Sequence, residues 1–265
     1  MPKSPASLFF NLYCAAVFMF LVAPLLVVIP ISFSASDYLQ FPPPSYSTRW
    51  YVEYFSSPSW IDATWRSLKV AALTTVLATV LGTMVAFSLV RGRYPGKRLV
   101  EQLVTAPIIM PTIVYAVSAY SLFSTLGLTS RWEGIALAHT VQAIPLVVLV
   151  VASSLRTFDT ALEQAARGLG ASWPLAVWNI TVPHIRPALI SGAFIAFVSS
   201  FDELVIAMFL SGINVTLPKK MFDNIIYEID PTIAAVSVLQ IALVTVSLAC
   251  VWRFGANRTQ NMSLR

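Results

Sequence analysis

The sequence predicts an all-α integral membrane protein with six spanning helices. Three observations carry that expectation. Of 265 residues, 57% are hydrophobic and only 11% are charged, whereas a soluble domain is roughly 45–50% apolar and about 25% charged. Mean hydropathy is +0.75. The few charges are spaced so that they leave six long apolar runs. Too few charges remain to coat a soluble particle of this size. Soluble enzymes, disordered chains, collagen-like repeats and disulfide-rich secreted scaffolds are therefore set aside.

An ionisable group at mid-bilayer costs about 2.5–3.5 kcal/mol or more, so charge-free runs locate the spans. Lys3 to Asp37 encloses 33 uncharged residues, Lys69 to Arg91 encloses 21, Glu101 to Arg131 encloses 29, and Glu133 to Arg156 and Asp230 to Arg253 enclose 22 each. Each run supplies the roughly 20 apolar residues a spanning helix needs. A sixth run is interrupted, because Asp202 and Glu203 separate the clean stretches 187–201 and 204–218. Helices are expected at 8–32, 70–90, 103–125, 134–155, 187–210 and 233–252, in a single transmembrane domain over residues 1–265.

The first run, Leu8 to Phe33, is far longer than the 7–15-residue apolar core of a signal peptide, and only Lys3 precedes it as a basic residue. A retained helix is expected. The following stretch, 34–66, holds Phe41-Pro42-Pro43-Pro44, Tyr46, Trp50, Tyr51, Tyr54, Phe55, Trp60 and Trp65. Trp and Tyr favour the headgroup level, so it reads as an interface-hugging loop or as a docking surface for an external partner. In the second helix Ala78, Gly82 and Ala86 recur every four residues, a small-residue face suited to close helix packing. Pro107 and Pro111 in the third helix and Pro145 in the fourth predict kinks. Cys14 and Cys250 fall in the first and sixth helices and read as small buried apolar residues, with no disulfide and no metal site.

Lys and Arg placement sets the orientation. With the N-terminus inside, the inner segments hold eleven basic residues: Lys3, Arg91, Arg93, Lys97, Arg98, Arg156, Arg167, Arg186, Arg253, Arg258 and Arg265. The outer segments hold six: Arg49, Arg66, Lys69, Arg131, Lys219 and Lys220. The bias favours an N-in, C-in chain. It accounts for the net charge of +5 without nucleic acid as a partner. Seven acids (Asp37, Glu53, Asp62, Glu133, Asp223, Glu228, Asp230) fall outside, against Asp159 and Glu163 inside.

The inner connection 156–186 has structure of its own. Asp159 can cap a helix through Thr160 to Arg167, with Gly168 and Gly170 as its stop. Ser172 can cap a second short helix, Trp173 to Ile180, and Pro183 and Pro187 should break the chain before the fifth span. The result is a helix–Gly–helix hairpin that exposes Trp173, Leu175, Val177 and Trp178.

Within it, Gln164-Ala165-Ala166, three residues, Gly170, nine residues, Ile180, one residue and Val182-Pro183 resemble the EAA signature of ABC-importer permeases. That signature runs Glu-Ala-Ala, three residues, Gly, nine residues, Ile, one residue and Leu-Pro. Gln164 stands in place of Glu and Val182 in place of Leu. The six helices, the aromatic outer loop, Arg91-Gly92-Arg93-Tyr94-Pro95-Gly96-Lys97, Phe201-Asp202-Glu203-Leu204-Val205 and Thr216-Leu217-Pro218 extend the resemblance to the second permease subunit of spermidine/putrescine importers.

The resemblance implies a type I importer fold, the inner-membrane component of binding-protein-dependent transport. It implies a heterodimer with a second permease in a bacterial inner membrane, two cytoplasmic ABC ATPases on the EAA loops and a periplasmic substrate-binding protein. ATP hydrolysis then belongs to a separate chain, and this one needs no cofactor and is no enzyme. The coupling candidates are Glu163, Gln164, Ala165, Ala166, Gly170, Leu175, Val177, Trp178, Ile180 and Pro183. Ala165, Ala166 and Gly170 should allow close approach, and Leu175, Val177 and Trp178 should form an apolar contact of the helix-in-groove kind.

Intramembrane ionisable groups are functional candidates by default. At 100° per residue, Ser199, Ser200, Asp202 and Glu203 share an arc of about 160° on a fifth helix. They either line a cation pathway, as polyamine import would require, or make structural hydrogen bonds. Which of the two acids faces the pathway stays open. Tyr120, Tyr115, His139, Gln142 and Gln240 are candidate neighbours, since aromatic faces also hold ammonium groups. Other small solutes (opines, amino-acid-like compounds, phosphonates) remain alternatives, as does an ATP-independent channel or secondary transporter. A membrane enzyme is set aside: the chain has only His139 and His184 and lacks His-Glu-x-x-His and Gly-x-Ser-x-Gly. Gly92 to Lys97 is one residue short of a phosphate loop, and Arg98 stands where Ser or Thr belongs.

Overall fold

A computed structural model describes residues 5–227 and 230–256. Lys3, Glu228, Arg258 and Arg265, used above for topology, lie outside the described residues. In chain order the structure has α1 (Pro5–Ser32), α2 (Arg49–Ser56), α3 (Pro58–Arg91), α4 (Lys97–Ile109), α5 (Thr112–Thr125), α6 (Trp132–Thr157), α7 (Ala161–Gly168) and α8 (Trp173–Ala176). A π-helical turn, Val177–Thr181, leads into α9 (Val182–Phe201), followed by α10 (Val205–Leu210), α11 (Leu217–Tyr227) and α12 (Thr232–Ala256). Among the described residues five helical stretches are long and apolar enough to cross a membrane: Phe9–Ser32, Pro58–Arg91, Trp132–Thr157, Trp173–Phe201 and Thr232–Val251. α4 and α5 make a sixth if taken as one broken span.

Three expected elements are corrected. The single helix over 103–125 is two helices meeting at 107°. Pro111 is the cause: a residue before proline is pushed out of the α region, and Met110 is extended at φ −73°, ψ 131°. Pro107 and Pro145, by contrast, lie inside α4 and α6. The helix over 187–210 ends at Phe201 and restarts as α10, so Ser199, Ser200, Asp202 and Glu203 do not share one helical face. Pro183 and Pro187 do not break the chain. Pro183 sits in the first turn of α9, where its missing N–H costs nothing, and Pro187 lies inside that helix. The preceding π turn, with its i→i+5 bonding, carries the chain into α9.

The chain forms two compact units, Met1–Ile61 with Met221–Leu243, and Asp62–Lys220 with Val244–Arg265. In the first, the aromatic stretch is more than a loop. It forms α2 and the start of α3, and Trp50, Tyr54 and Trp60 are buried. The Tyr54 and Trp60 rings lie 6.3 Å apart, and the Tyr51 hydroxyl meets Ser32 Oγ at 2.8 Å. Tyr38, Phe41, Tyr46 and Phe55 are exposed. Both cysteines are free; Cys14 is half-buried but Cys250 is exposed, against expectation.

The second unit has two cores. One joins Val70 of α3, Ala116 and Ala119 of α5, Ile135 and Ala138 of α6, and Ile206 and Leu210 of α10. The other joins Ala78 and Ala86 of α3, Val147 and Val151 of α6, and Ile185 and Ala196 of α9. In lipid there is little hydrophobic drive between helices, so close approach at small residues does this packing. A Cβ on Gly82 would lie 2.9 Å from Val147 Cβ and 3.2 Å from the Ile144 carbonyl, whereas one on Gly192 would meet Val147 Cγ1 at 3.4 Å. Gly82→Leu is therefore expected to destabilise the bundle by about 1–3 kcal/mol through overpacking, and Gly192→Ala to be tolerated. Unfolding midpoints in detergent check this, and equal midpoints for Gly82→Leu and the wild type would refute it.

Candidate functional site

Residues 158–181 form the expected hairpin. Asp159 Oδ1 accepts the Ala161 N–H at 2.9 Å, starting α7 as the sequence suggests. At the other end Gly170 adopts φ +96°. The Gly170 N–H donates to the Arg167 carbonyl at 3.0 Å and the Ala171 N–H to the Ala166 carbonyl at 3.1 Å. This is a Schellman stop, which demands a left-handed residue. A Cβ at Gly170 would meet nothing within 4 Å, so within this chain the glycine is required by backbone conformation. Ser172 precedes α8 in an extended conformation but makes no side-chain cap bond.

The hairpin presents apolar side chains outward. Trp173, Leu175 and Trp178 are exposed, Trp178 at 72%. Gln164, Ala165, Gly170 and Pro183 are exposed too, and Ala166, Val177 and Ile180 are half-buried. Leu162 and Leu169 also face outward, Leu169 at 90% exposure. Sequence patterning missed both, although a leucine beside a glycine stop was the available signal.

Glu163 does not belong with this outward set. It is 5% exposed, its Oε2 accepts from Arg91 Nη1 at 2.6 Å, and its Oε1 accepts from the Thr181 hydroxyl. A carboxylate pays a large desolvation cost unless paired and hydrogen-bonded, and here it is both. Arg91 and Thr181 carry no sequence mark of this role.

Asp202 and Glu203, the acids expected inside the membrane, sit at the break between α9 and α10. Asp202 caps α9, its N–H donating to the Val198 carbonyl at 3.1 Å, and its side chain is exposed. Glu203 is turned in. Its Oε1 accepts the Val205 N–H at 3.1 Å and its Oε2 the Ile206 N–H at 2.8 Å. A carboxylate at a helix N-terminus satisfies donors that have no intrahelical partner. Glu203 Oε2 also lies 3.5 Å from Nε2 of buried His139, whose Nδ1 is 2.9 Å from the buried Ser200 hydroxyl. Tyr115 donates to the Ala138 carbonyl at 2.8 Å. Ser199, Gln142 and Gln240 are half-buried and Tyr120 is exposed. Thus Glu203, His139 and Ser200 come together in a packed cluster, while Asp202 and Tyr120 are exposed. Among the described residues no group of three or more His, Cys, Asp or Glu side chains is placed to hold a metal ion.

Comparison with known proteins gives a consistent result. The model of the family described as binding-protein-dependent transport system inner membrane component matches residues 78–256. The putrescine transport system permease protein PotI of Escherichia coli is 37% identical over 244 residues, covering 89% of this chain and 86% of that protein. The spermidine/putrescine transport system permease protein PotC of Haemophilus influenzae is 31% identical over 235 residues, covering 88% of this chain and 91% of its own. A chain from the crystal structure of a bacterial ABC transporter involved in alginate import superposes with a TM-score of 0.74 at 16% identity, covering 95% of this chain and 98% of that one. At that identity the likeness speaks for the fold.

Proposed function

The chain belongs to the family of binding-protein-dependent transport system inner membrane components, with the type I importer permease fold, and from that premise we propose that it is a permease subunit of an ATP-driven polyamine importer. It pairs with a second permease in the bacterial inner membrane, N-in and C-in, and the two form the translocation pathway. A periplasmic binding protein delivers the solute. Two cytoplasmic ATPases dock on the 156–186 hairpins and supply the work, so this chain performs no hydrolysis itself.

The observation that carries the coupling role is the outward apolar face of the hairpin: Leu162, Leu169, Trp173, Leu175 and Trp178 are large, exposed and contiguous with the EAA-like spacing. Exposed apolar clusters of this kind mark docking surfaces. Two features support a polyamine as substrate: the relatives named above, and an exposed acid, Asp202, just past the end of the apolar stretch Trp173–Phe201, where it supplies counter-charge for a cation.

The test is purification of the tagged chain from its native membrane, followed by reconstitution. An ATPase subunit and a second permease are expected to copurify. Uptake of labelled putrescine or spermidine should require ATP and the cognate binding protein. Uptake that persists without any ATPase would overturn the reading, and a binding protein that holds amino acids but not polyamines would overturn the substrate.

A further inference from the structure

The EAA-like segment lacks its carboxylate at 164, where Gln164 is exposed. The neighbouring acid, Glu163, lies about 100° round the helix and is turned into the protein. Its two oxygens reach two different elements. Oε2 takes the Arg91 guanidinium at the last residue of α3, and Oε1 takes the Thr181 hydroxyl at the end of the π turn that opens α9. Arg91 is held further by the faces of Phe158, at 5.5 Å, and Phe87, at 5.9 Å. Its Nε and Nη2 are buried with no hydrogen-bond partner among the described residues. The guanidinium therefore depends on a single carboxylate, and that carboxylate joins α3, α7 and α9.

We propose that Arg91, Glu163 and Thr181 form a positioning clamp that makes the docking hairpin one rigid body with the ends of α3 and α9. The proposal rests on the importer reading above. A hairpin hinged only by its backbone would absorb an ATPase movement in its own loops. The clamp passes that movement to two spanning helices at once, and α3 and α9 pack on α6 at Val147 through Gly82 and Gly192. Transmission by rigid-body displacement needs such a stiff link.

The experiment compares the reconstituted transporter carrying wild type, Glu163→Gln, Thr181→Val, or Arg91→Gln with Glu163→Gln. Three quantities are read: copurifying ATPase, ATP hydrolysed per solute imported, and amide hydrogen exchange of residues 161–171 in the permease alone. Glu163→Gln should keep its ATPase partner, speed hairpin exchange at least tenfold and raise the ATP cost per solute at least fivefold. Thr181→Val should move both in the same direction by less. In the double variant the charge is balanced, which restores the yield of folded protein. Gln in place of Arg91 is too short to reach position 163, so the ATP cost stays high.

Wild-type exchange and ATP cost in Glu163→Gln would overturn the clamp. So would recovery of the wild-type ATP cost in the double variant, which would reduce the pair to charge balance within the fold. Loss of the ATPase from Glu163→Gln would overturn it too, by making Glu163 a docking contact. If wild-type protein imports nothing with ATP, the importer reading fails and the coupling role with it; the exchange data separate that failure from the absence of a clamp.

Discussion

Asp202→Asn is expected to raise the KM for polyamine uptake about 10–100-fold while leaving the amount of inserted protein unchanged. The two adjacent acids look equivalent in the sequence, but the structure gives them different surroundings. Glu203 spends both oxygens on the first N–H groups of α10 and packs against His139. Asp202 is exposed at the end of α9, and under the proposed function its charge meets the passing ammonium. A hydrogen bond to a charged group contributes about 1.5–3 kcal/mol, and every 1.4 kcal/mol is about tenfold in affinity, which sets the size of the effect. Asparagine keeps the shape and loses the charge. Glu203→Gln should behave in the opposite way: one N–H of α10 loses its acceptor, the break between α9 and α10 loosens, and membrane yield falls while the KM of surviving protein stays near wild type. Transport kinetics normalised to immunoblotted membrane protein separate the two. An unchanged KM for Asp202→Asn would return that acid to a structural role, and a raised KM with normal yield for Glu203→Gln would reverse the assignment.

That contrast shows what a sequence of this kind makes legible. Charges are so costly in lipid that their spacing locates the spans, and the expected helices 8–32, 70–90, 134–155 and 233–252 each lie within an observed one. The expected helix 187–210 breaks after Phe201 because the Glu203 carboxylate competes for backbone N–H groups. A carboxylate that can accept the N–H groups two and three residues on favours a fresh helix start over an uninterrupted helix. Apolar patterning on both sides hides that competition. Proline placement is similarly ambiguous: Pro111 splits a span, whereas Pro183 and Pro187 are absorbed by a π turn and the helix after it. The turn depends on packing that no local pattern encodes. Glu163 is visible in the sequence as an acid in the 156–186 hairpin, but its direction is not. On an eight-residue helix either face can be apolar, and the partner that turns it inward is 72 residues away in the chain. Trp173, Leu175 and Trp178 on the outward face are legible because large apolar residues stand out in a basic inner loop, whereas Leu162 and Leu169 of the same face are not singled out by that pattern.

Gly170→Val is expected to cut uptake to roughly a tenth or less, with the protein still inserted. The reason is conformational. At φ +96° a side chain meets no neighbouring atom, so the penalty is the backbone's own. Left-handed geometry costs an L-residue roughly 1–2 kcal/mol, and β-branching makes such a residue a genuine outlier. The chain escapes by giving up the Schellman stop, and with it the bonds from Gly170 to Arg167 and from Ala171 to Ala166. The segment that follows carries Trp173, Leu175 and Trp178, so a change in φ here re-aims the proposed docking face while the spans remain intact. A graded series tests this account. Asn tolerates left-handed geometry better than other non-glycine residues, so uptake and binding-protein-stimulated ATPase activity should fall from wild type to Gly170→Asn to Gly170→Val. Gly168→Ala supplies the control, because Gly168 sits in the last turn of α7 with open space around it and no positive φ. That change should be neutral or slightly stabilising. Should Gly170→Asn and Gly170→Val lose activity equally, side-chain bulk at an ATPase contact, as the resemblance implies, would replace backbone geometry as the explanation. Should both keep wild-type stimulation, the hairpin's orientation would not matter to coupling at all.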